Sequence, residues 1–494
     1  MVTFISRGRR LALVGVMVLM AGRPVLGQTA GASASSGISA SSGISVSSGI
    51  SVSSGSAGFH KWAPVPPMGW NSWDCYGPTV TEAEVKANAD YMAAHLKPYG
   101  WNYVIVDIRW YVNNDKAHGY NETNAEYNID DYGRYVPSVA RFPSAADGKG
   151  FKPLADYMHA RGLKFGVHVM RGVPVTAVKR GLPVYGTAVT ARDIYSDQGQ
   201  CDWLHDNYTI DASKEGAQAY YDALFKLFAS WGLDFVKVDD LTQPYHGDEL
   251  TMIRKAIDKC GRDIVLSTSP GETPIDQAKD VQSKANMWRT VGDFWDSWKQ
   301  LKEHFTVFER WNGYRAFGAY PDGDMLPMGR IGIRAERGDP RMTRFTHDEQ
   351  YTLMTLWAIF RSPMFFGGDL PGNDAFTLSL LTNKGVMDVL KYSINNRELF
   401  MKDDLVAWVA DDPKTGDKYL ALFNSKDNGG VDSVGGAGQG IGVPVAVHLS
   451  EVGVDSCKVT DLWTGKRLGR FSGSFAPMVR WHGAGLYRLS KVAK

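Results

Sequence analysis

A chain of 494 residues is long enough for two domains and a substantial buried core. Its 54 Lys and Arg against 53 Asp and Glu leave a formal charge of +1, so nothing in the charge favours nucleic acid or an anionic membrane as partner. The 15 Trp, 22 Tyr and 21 Phe are mostly core material, but several cluster near Gly and Asp, as in sites that stack sugar faces.

Arg7, Arg9 and Arg10 precede an apolar run over residues 11–20, with small residues near Gly27. This layout predicts a secretory signal over residues 1–27, too short to span a bilayer. The expected product is secreted or periplasmic, with no membrane association once the signal is removed. Residues 33–56 repeat a six-residue Ser/Gly unit that cannot bury enough surface to offset chain entropy, which predicts a flexible linker over 28–60. Cys75, Cys201, Cys260 and Cys457 are widely spaced, with no CxxC and no Cys/His cluster, so no metal site is expected.

Residues 61–395 alternate short apolar runs with amphipathic stretches. Strands are predicted at 68–70, 103–108, 165–170, 234–239, 264–269, 287–291, 320–325 and 363–366. Thr81-x-x-Glu84 and Thr346-x-x-Glu349 read as capping boxes opening helices, and 217–230 as a third helix. Alternating βα units without GxGxxG or GxxxxGK[ST] favour an α/β fold of the (β/α)8 TIM-barrel type over a nucleotide-binding sheet. Beyond it, short strand candidates at 405–409, 419–423, 443–448, 458–462 and 485–489 predict a C-terminal antiparallel β-sandwich over 396–494, packed against the barrel.

In such a barrel, chemistry sits at the C-terminal strand ends. Asp107, Asp239, Asp293, Asp322, Asp324 and Asp369 all fall there. Some will be helix caps, but two suit glycoside hydrolysis, in which one carboxylate attacks the anomeric carbon and a second protonates the leaving oxygen. Lys237 lies two residues before Asp239 on one strand face and is expected to keep it ionised as nucleophile. Asp293, four residues after Arg289 in WRTVGDFWDSW, has aromatic neighbours expected to desolvate it and raise its pKa, as an acid/base requires. A retaining mechanism calls for the two carboxyl groups to lie roughly 5–5.5 Å apart.

The motifs PPMGWNSWDCYG (66–77), YVIVDIRW (103–110), FVKVDD (235–240), WRTVGDFWDSW (288–298), PDGDMLPMG (321–329) and SPMFFGGDL (362–370) resemble, in order, those of glycoside hydrolase family 27, the α-galactosidase or melibiase family. The resemblance covers most of residues 61–494. It implies that Asp239 is the nucleophile and Asp293 the acid/base. It also implies that Trp73 lines the sugar pocket, that Asp107 holds the O4/O6 edge, and that Lys237 and Arg289 hold ring hydroxyls. The implied substrate is a carbohydrate, with no metal and no organic cofactor.

Three departures bear on the sugar. The second aspartate usual after the second strand is Ile108, which cannot accept a hydrogen bond from a C6 hydroxyl. The segment that senses the C2 substituent is replaced by Ser269-Pro270-Gly271-Glu272, with Glu272 a candidate for reaching a hydroxyl. The third strand reads FGVHVMRGVP (165–174) in place of FG-x-Y-x-D, which makes His168 and Arg171 candidate pocket residues. The family often links a cysteine after the third strand to one just past the nucleophile. Asp240 and Leu241 stand in the region of the second, so no such bridge is expected from Cys201. The expected activity is that of a retaining exo-α-galactosidase. The alternatives are a β-L-arabinopyranosidase, whose sugar lacks C6, and a sugar-binding barrel without turnover.

Overall fold

The computed structural model describes residues 58–427 and 442–492. The predicted signal and all but the last three residues of the predicted linker lie outside them. Those three, Gly58 to His60, belong to the fold: they open a 3-10 helix, Gly58–Trp62, with Phe59 and His60 buried and His60 Nε2 3.0 Å from the Gln282 carbonyl. Among the described residues no helix is long and apolar enough to cross a membrane.

Eight parallel strands form the first sheet: β1 (Met68–Asn71), β2 (Tyr103–Val106), β3 (Lys164–Met170), β4 (Phe235–Asp239), β5 (Val265–Thr268), β6 (Met287–Arg289), β7 (Tyr320–Asp322) and β8 (Met364–Phe366). Neighbours in the sheet are neighbours in sequence, and β1 also pairs with β8 (Met68 with Met364). The remaining seam, between β7 and β8, closes through a parallel bridge from Leu326 to Phe366. The predicted barrel is therefore present; β1 and β3 run one residue longer than predicted and the other six strands one to three residues shorter.

A helix follows each strand: α1 (Glu82–Tyr91), α2 (Lys152–His159), α3 (Ala217–Trp231), α4 (Gly247–Lys259), α5 (Ala278–Gln282), α6 (Trp298–Trp311), α7 (His347–Phe360) and α8 (Lys384–Tyr392). Both expected capping boxes form, at Thr81/Glu84 and at Thr346/Glu349, each satisfying helix-end donors at a gain of about 1 kcal/mol. The loops after β2 and β3 are long, and the second carries a small antiparallel sheet of Val173–Pro174, Tyr195–Ser196 and Asn207–Ile210. These insertions build one wall of the site.

The C-terminal sheet has six strands in the order β9-β10-β11-β14-β12-β13. They are β9 (Ile394–Lys402), β10 (Leu405–Asp411), β11 (Lys418–Asn424), β12 (Ser456–Asp461), β13 (Arg467–Ser472) and β14 (Ala484–Lys491). β9 starts at Ile394 and pairs with β10, so the boundary predicted between 395 and 396 cuts a strand and belongs before Ile394. Two-residue ladders, Val443–Pro444 with Met478–Val479 and Val447–His448 with Ser474–Phe475, cover the outer face. The predicted run 443–448 is thus two short strands.

Period-two alternation explains how this sheet serves two cores. Val406, Trp408 and Ala410 of β10, with Tyr419, Ala421 and Phe423 of β11, join the barrel core. Ala407, Val409, Leu420 and Leu422 join the sandwich core. Trp463 Nε1 donates to Thr355 Oγ1 of α7 at 2.9 Å, and His482 Nδ1 lies 2.8 Å from Glu349 Oε1, so the domain packs on the barrel as expected. All four cysteines are free.

Candidate active site

A cavity of about 580 Å³ opens at the C-terminal ends of the barrel strands. Trp73, Asp107, Ile108, His168, Lys237, Asp239, Arg289 and Asp293 all line it, so eight of the ten candidate pocket residues converge. Glu272 does not. Its side chain is 55% exposed, and its nearest cation is Arg310 at 3.6 Å. The loop after β5 instead presents Pro270 and Gly271 to the cavity, because the carboxylate that follows them projects to solvent.

His168, on β3 between Asp107 and Asp239, has a carboxylate at each ring nitrogen. Nδ1 lies 2.8 Å from Asp107 Oδ1 and Nε2 2.9 Å from Asp239 Oδ2. Asp107 also accepts from Asn71 Nδ2 and the Ile108 amide, both at 2.8 Å. Asp239 Oδ1 accepts from Ser269 Oγ at 3.1 Å and from the Asp240 amide at 3.2 Å. Burial opposes ionisation of Asp239, yet His168 and then Lys237 outweigh it and hold the carboxyl below its ordinary value. Asp107 is lowered in the same way, burial being overcome by His168. Ionisation of Asp239 is thus favoured, with the larger contribution from His168 and only the second from Lys237. Burial likewise works against the Lys237 charge, and Asp107, Asp324 and Asp239 together lift that pKa above the usual lysine range.

Arg289 Nη2 donates to Asp293 Oδ1 at 3.1 Å, and Nη1 meets Asp324 Oδ1 at 2.9 Å. The desolvation expected around Asp293 is absent. Its side chain is 44% exposed, because Phe294 and Trp295 turn into the protein and leave the carboxylate at the cavity mouth. Arg171 also departs from expectation. It is buried away from the cavity, paired with Asp240 Oδ2 at 2.8 Å and Glu249 Oε1 at 2.9 Å. Arg171 and Asp240 thus tie the end of β3 to the end of β4, and Cys201 is free, as expected.

Ile108 stands in an apolar patch with Met170, Cys201 and Leu204, against which Trp73 and Tyr120 pack. Trp73 and Tyr120 are stacked with ring centroids 6.0 Å apart, and Tyr120 continues to Trp203 at 6.4 Å. Tyr120, Trp203, Asp74, Asp324, Glu336 and Arg337 also line the cavity and were not predicted as site residues. Asp324 had a signal in its strand-end position. Its positive φ of 78° is strained for a non-glycine residue and is held by Arg289 and by the Phe294 amide at 2.9 Å. Asp74 is buried beside Gly367, where any Cβ would collide with its carboxylate. Tyr120, Trp203, Glu336 and Arg337 lie on long loops without periodicity. Among the described residues no group of three or more His, Cys, Asp or Glu side chains is arranged to hold a metal ion.

Residues 193–391 match the family model described as alpha galactosidase A, and 402–489 the alpha galactosidase C-terminal beta sandwich domain. A crystal structure of a family 27 β-L-arabinopyranosidase from Geobacillus stearothermophilus is 48% identical, with a TM-score of 0.84, covering 88% of this chain and 98% of that one. The chain belongs to glycoside hydrolase family 27. Other similar proteins differ in what they are named for. A structure of a putative α-N-acetylgalactosaminidase from Bacillus halodurans is 44% identical with a TM-score of 0.76, covering 86% of this chain and 97% of that one. Alpha-galactosidase 2 of Arabidopsis thaliana is 26% identical over 436 residues, 86% of this chain and 89% of the plant protein. Membership establishes a glycoside hydrolase and leaves the sugar to the pocket of this chain.

Proposed function

We propose that this family 27 glycoside hydrolase is a retaining exo-enzyme that prefers terminal β-L-arabinopyranosyl over α-D-galactosyl groups. In this reading Asp239 attacks the anomeric carbon while Asp293 protonates the leaving oxygen. Asp293 then takes a proton from the water that releases the sugar. The observation that carries the sugar preference is Ile108, which lines the cavity next to Asp107 and is backed by the buried apolar side chains of Met170, Cys201 and Leu204. A hydroxymethyl group on C5 would meet a surface with no side-chain acceptor, whereas a pentopyranose has nothing to place there. The similar Geobacillus protein is named for arabinopyranoside hydrolysis, and a variant of it, 47% identical to this chain, is described in complex with arabinose.

An α-galactosidase is the second reading, favoured by the names of the matching family models and of the Arabidopsis relative. Comparison of kcat/KM for p-nitrophenyl β-L-arabinopyranoside and p-nitrophenyl α-D-galactopyranoside decides between them. Arabinopyranoside preferred by tenfold or more supports the proposal, and equal or reversed preference overturns it. Export directed by residues 1–27 is part of the same proposal, and the N-terminal sequence of the mature protein tests it.

A further inference from the structure

The two bonds made by His168 constrain its protonation. A neutral imidazole donates from one nitrogen and presents a lone pair at the other. Here each nitrogen faces a carboxylate oxygen within 2.9 Å, so a neutral ring would set a lone pair against an anion. Moving the proton to a carboxylate does not resolve the conflict. Besides His168, Asp107 accepts from Asn71 and Ile108, and Asp239 from Ser269 and Asp240, and such donors favour the ionised form of each. The other groups facing the ring are Lys237, on the neighbouring β4, and the Ser269 hydroxyl at the end of β5, 3.5 Å from Nε2.

We propose that His168 is a doubly protonated positioning residue, a fixed imidazolium that joins Asp107 to Asp239 and stabilises Asp239 each time it departs as a carboxylate. The idea rests on the retaining reading above. In the first step an Asp239 oxygen bonds to C1 as the C1–aglycone bond breaks. The electron pair of that bond goes to the leaving oxygen, which takes the proton of Asp293. In the second step water gives a proton to Asp293 and its oxygen bonds to C1. The C1–Asp239 bond then breaks and its electron pair returns to Asp239, opposite the imidazolium. Holding the carboxylate charge makes Asp239 a weaker attacking group and a better leaving group, so His168 assists release of the sugar more than its capture. The same ring fixes Asp239 relative to Asp107, which the family resemblance places on the sugar. An altered pocket therefore stays in register with the reacting oxygen.

Two readouts test this. In protein labelled with 15N-histidine, the His168 ring, assigned by its loss in His168→Gln, is expected to carry protons on both nitrogens at pH 8. Asp239→Asn, which removes one of the two anionic acceptors, supplies the assignment through the shift it causes if the Gln variant does not fold. A ring with a single proton at pH 7 overturns the proposal. In steady state His168→Gln is expected to lose about ten- to a hundredfold in kcat, the scale of a charge-assisted hydrogen bond, and less in kcat/KM. A p-nitrophenol burst should appear as the glycosyl-enzyme accumulates. Equal losses in kcat and kcat/KM without a burst overturn it. Wild-type enzyme that turns over neither glycoside refutes the functional reading instead, and leaves the protonation state of His168 to be read independently.

Discussion

Ile108 is 2% exposed and is backed by Met170, Cys201 and Leu204, buried as well, so the surface it presents to the cavity beside Asp107 is apolar. Leaving a hydroxyl unpaired against such a surface costs about 1–3 kcal/mol, roughly 5- to 150-fold in kcat/KM for a sugar that carries C6. Ile108→Asp supplies an acceptor, and Ile108→Ala supplies only room. If the missing hydrogen bond sets the preference, Asp should move the galactoside-to-arabinopyranoside ratio by about 10- to 100-fold while Ala moves it much less. If Ile108 acts by volume, the Ala variant should move it as far. The ratio of the two kcat/KM values is the quantity to follow, because the active fraction of each preparation cancels in it. Thermal melting tracks the separate cost of placing a second carboxylate next to Asp107. A ratio that stays within about twofold of wild type in both variants would refute the reasoning and remove Ile108 from the account of specificity.

Three further outcomes follow from the same site. Asp239→Asn should lower turnover of either glycoside by at least about a thousandfold while far-ultraviolet circular dichroism and the melting temperature remain near wild type, since the amide keeps the side-chain shape. Glu272→Gln should leave kcat/KM within about twofold, because Glu272 faces solvent and Arg310 rather than the cavity; a tenfold loss would restore it to the sugar site. Arg171→Met strands the buried carboxylates of Asp240 and Glu249 and should cost about 3–5 kcal/mol in urea unfolding, with KM of the folded fraction unchanged. A rise in KM without loss of stability would put Arg171 on the substrate after all.

The barrel was legible because its signal is local. YVIVDI, FGVHVM and FVKVDD are short runs rich in apolar residues and almost wholly buried, as strands between an inner core and an outer helix layer must be, and two of the helices start at capping boxes within four residues. Less legible was β9, whose residues are mostly exposed or half-buried because it is the edge of the C-terminal sheet, so its run carries no alternation to read. The same physics divides the site. Asp107, His168, Lys237 and Asp239 sit on or just past strands whose period fixes where side chains point. Tyr120, Trp203, Glu336 and Arg337 come from loops whose course depends on tertiary packing, and only the fold brings them to the cavity.

Charge balance was the level at which local reading failed. Lys237 was the evident partner for Asp239 because it lies on the same strand face, two residues away. In a closed barrel, however, the neighbouring strand is as near as the next turn of the same chain: β3 pairs with β4 so that His168 stands opposite Lys237, and Met170 opposite Asp239. From that register the imidazole reaches Asp239 on one side and, across β2, Asp107 on the other. Carboxylates at the ends of β2 and β4 would repel in a buried site, and a histidine on the strand between them relieves both at once. Replacing the tyrosine of the usual FG-x-Y-x-D pattern by His168 therefore alters the electrostatics at the candidate nucleophile. In the proposed reading Ile108 acts instead on the substituent at C5, so the kinetics of His168→Gln and Ile108→Asp should separate: the first in kcat, the second in the ratio of substrates.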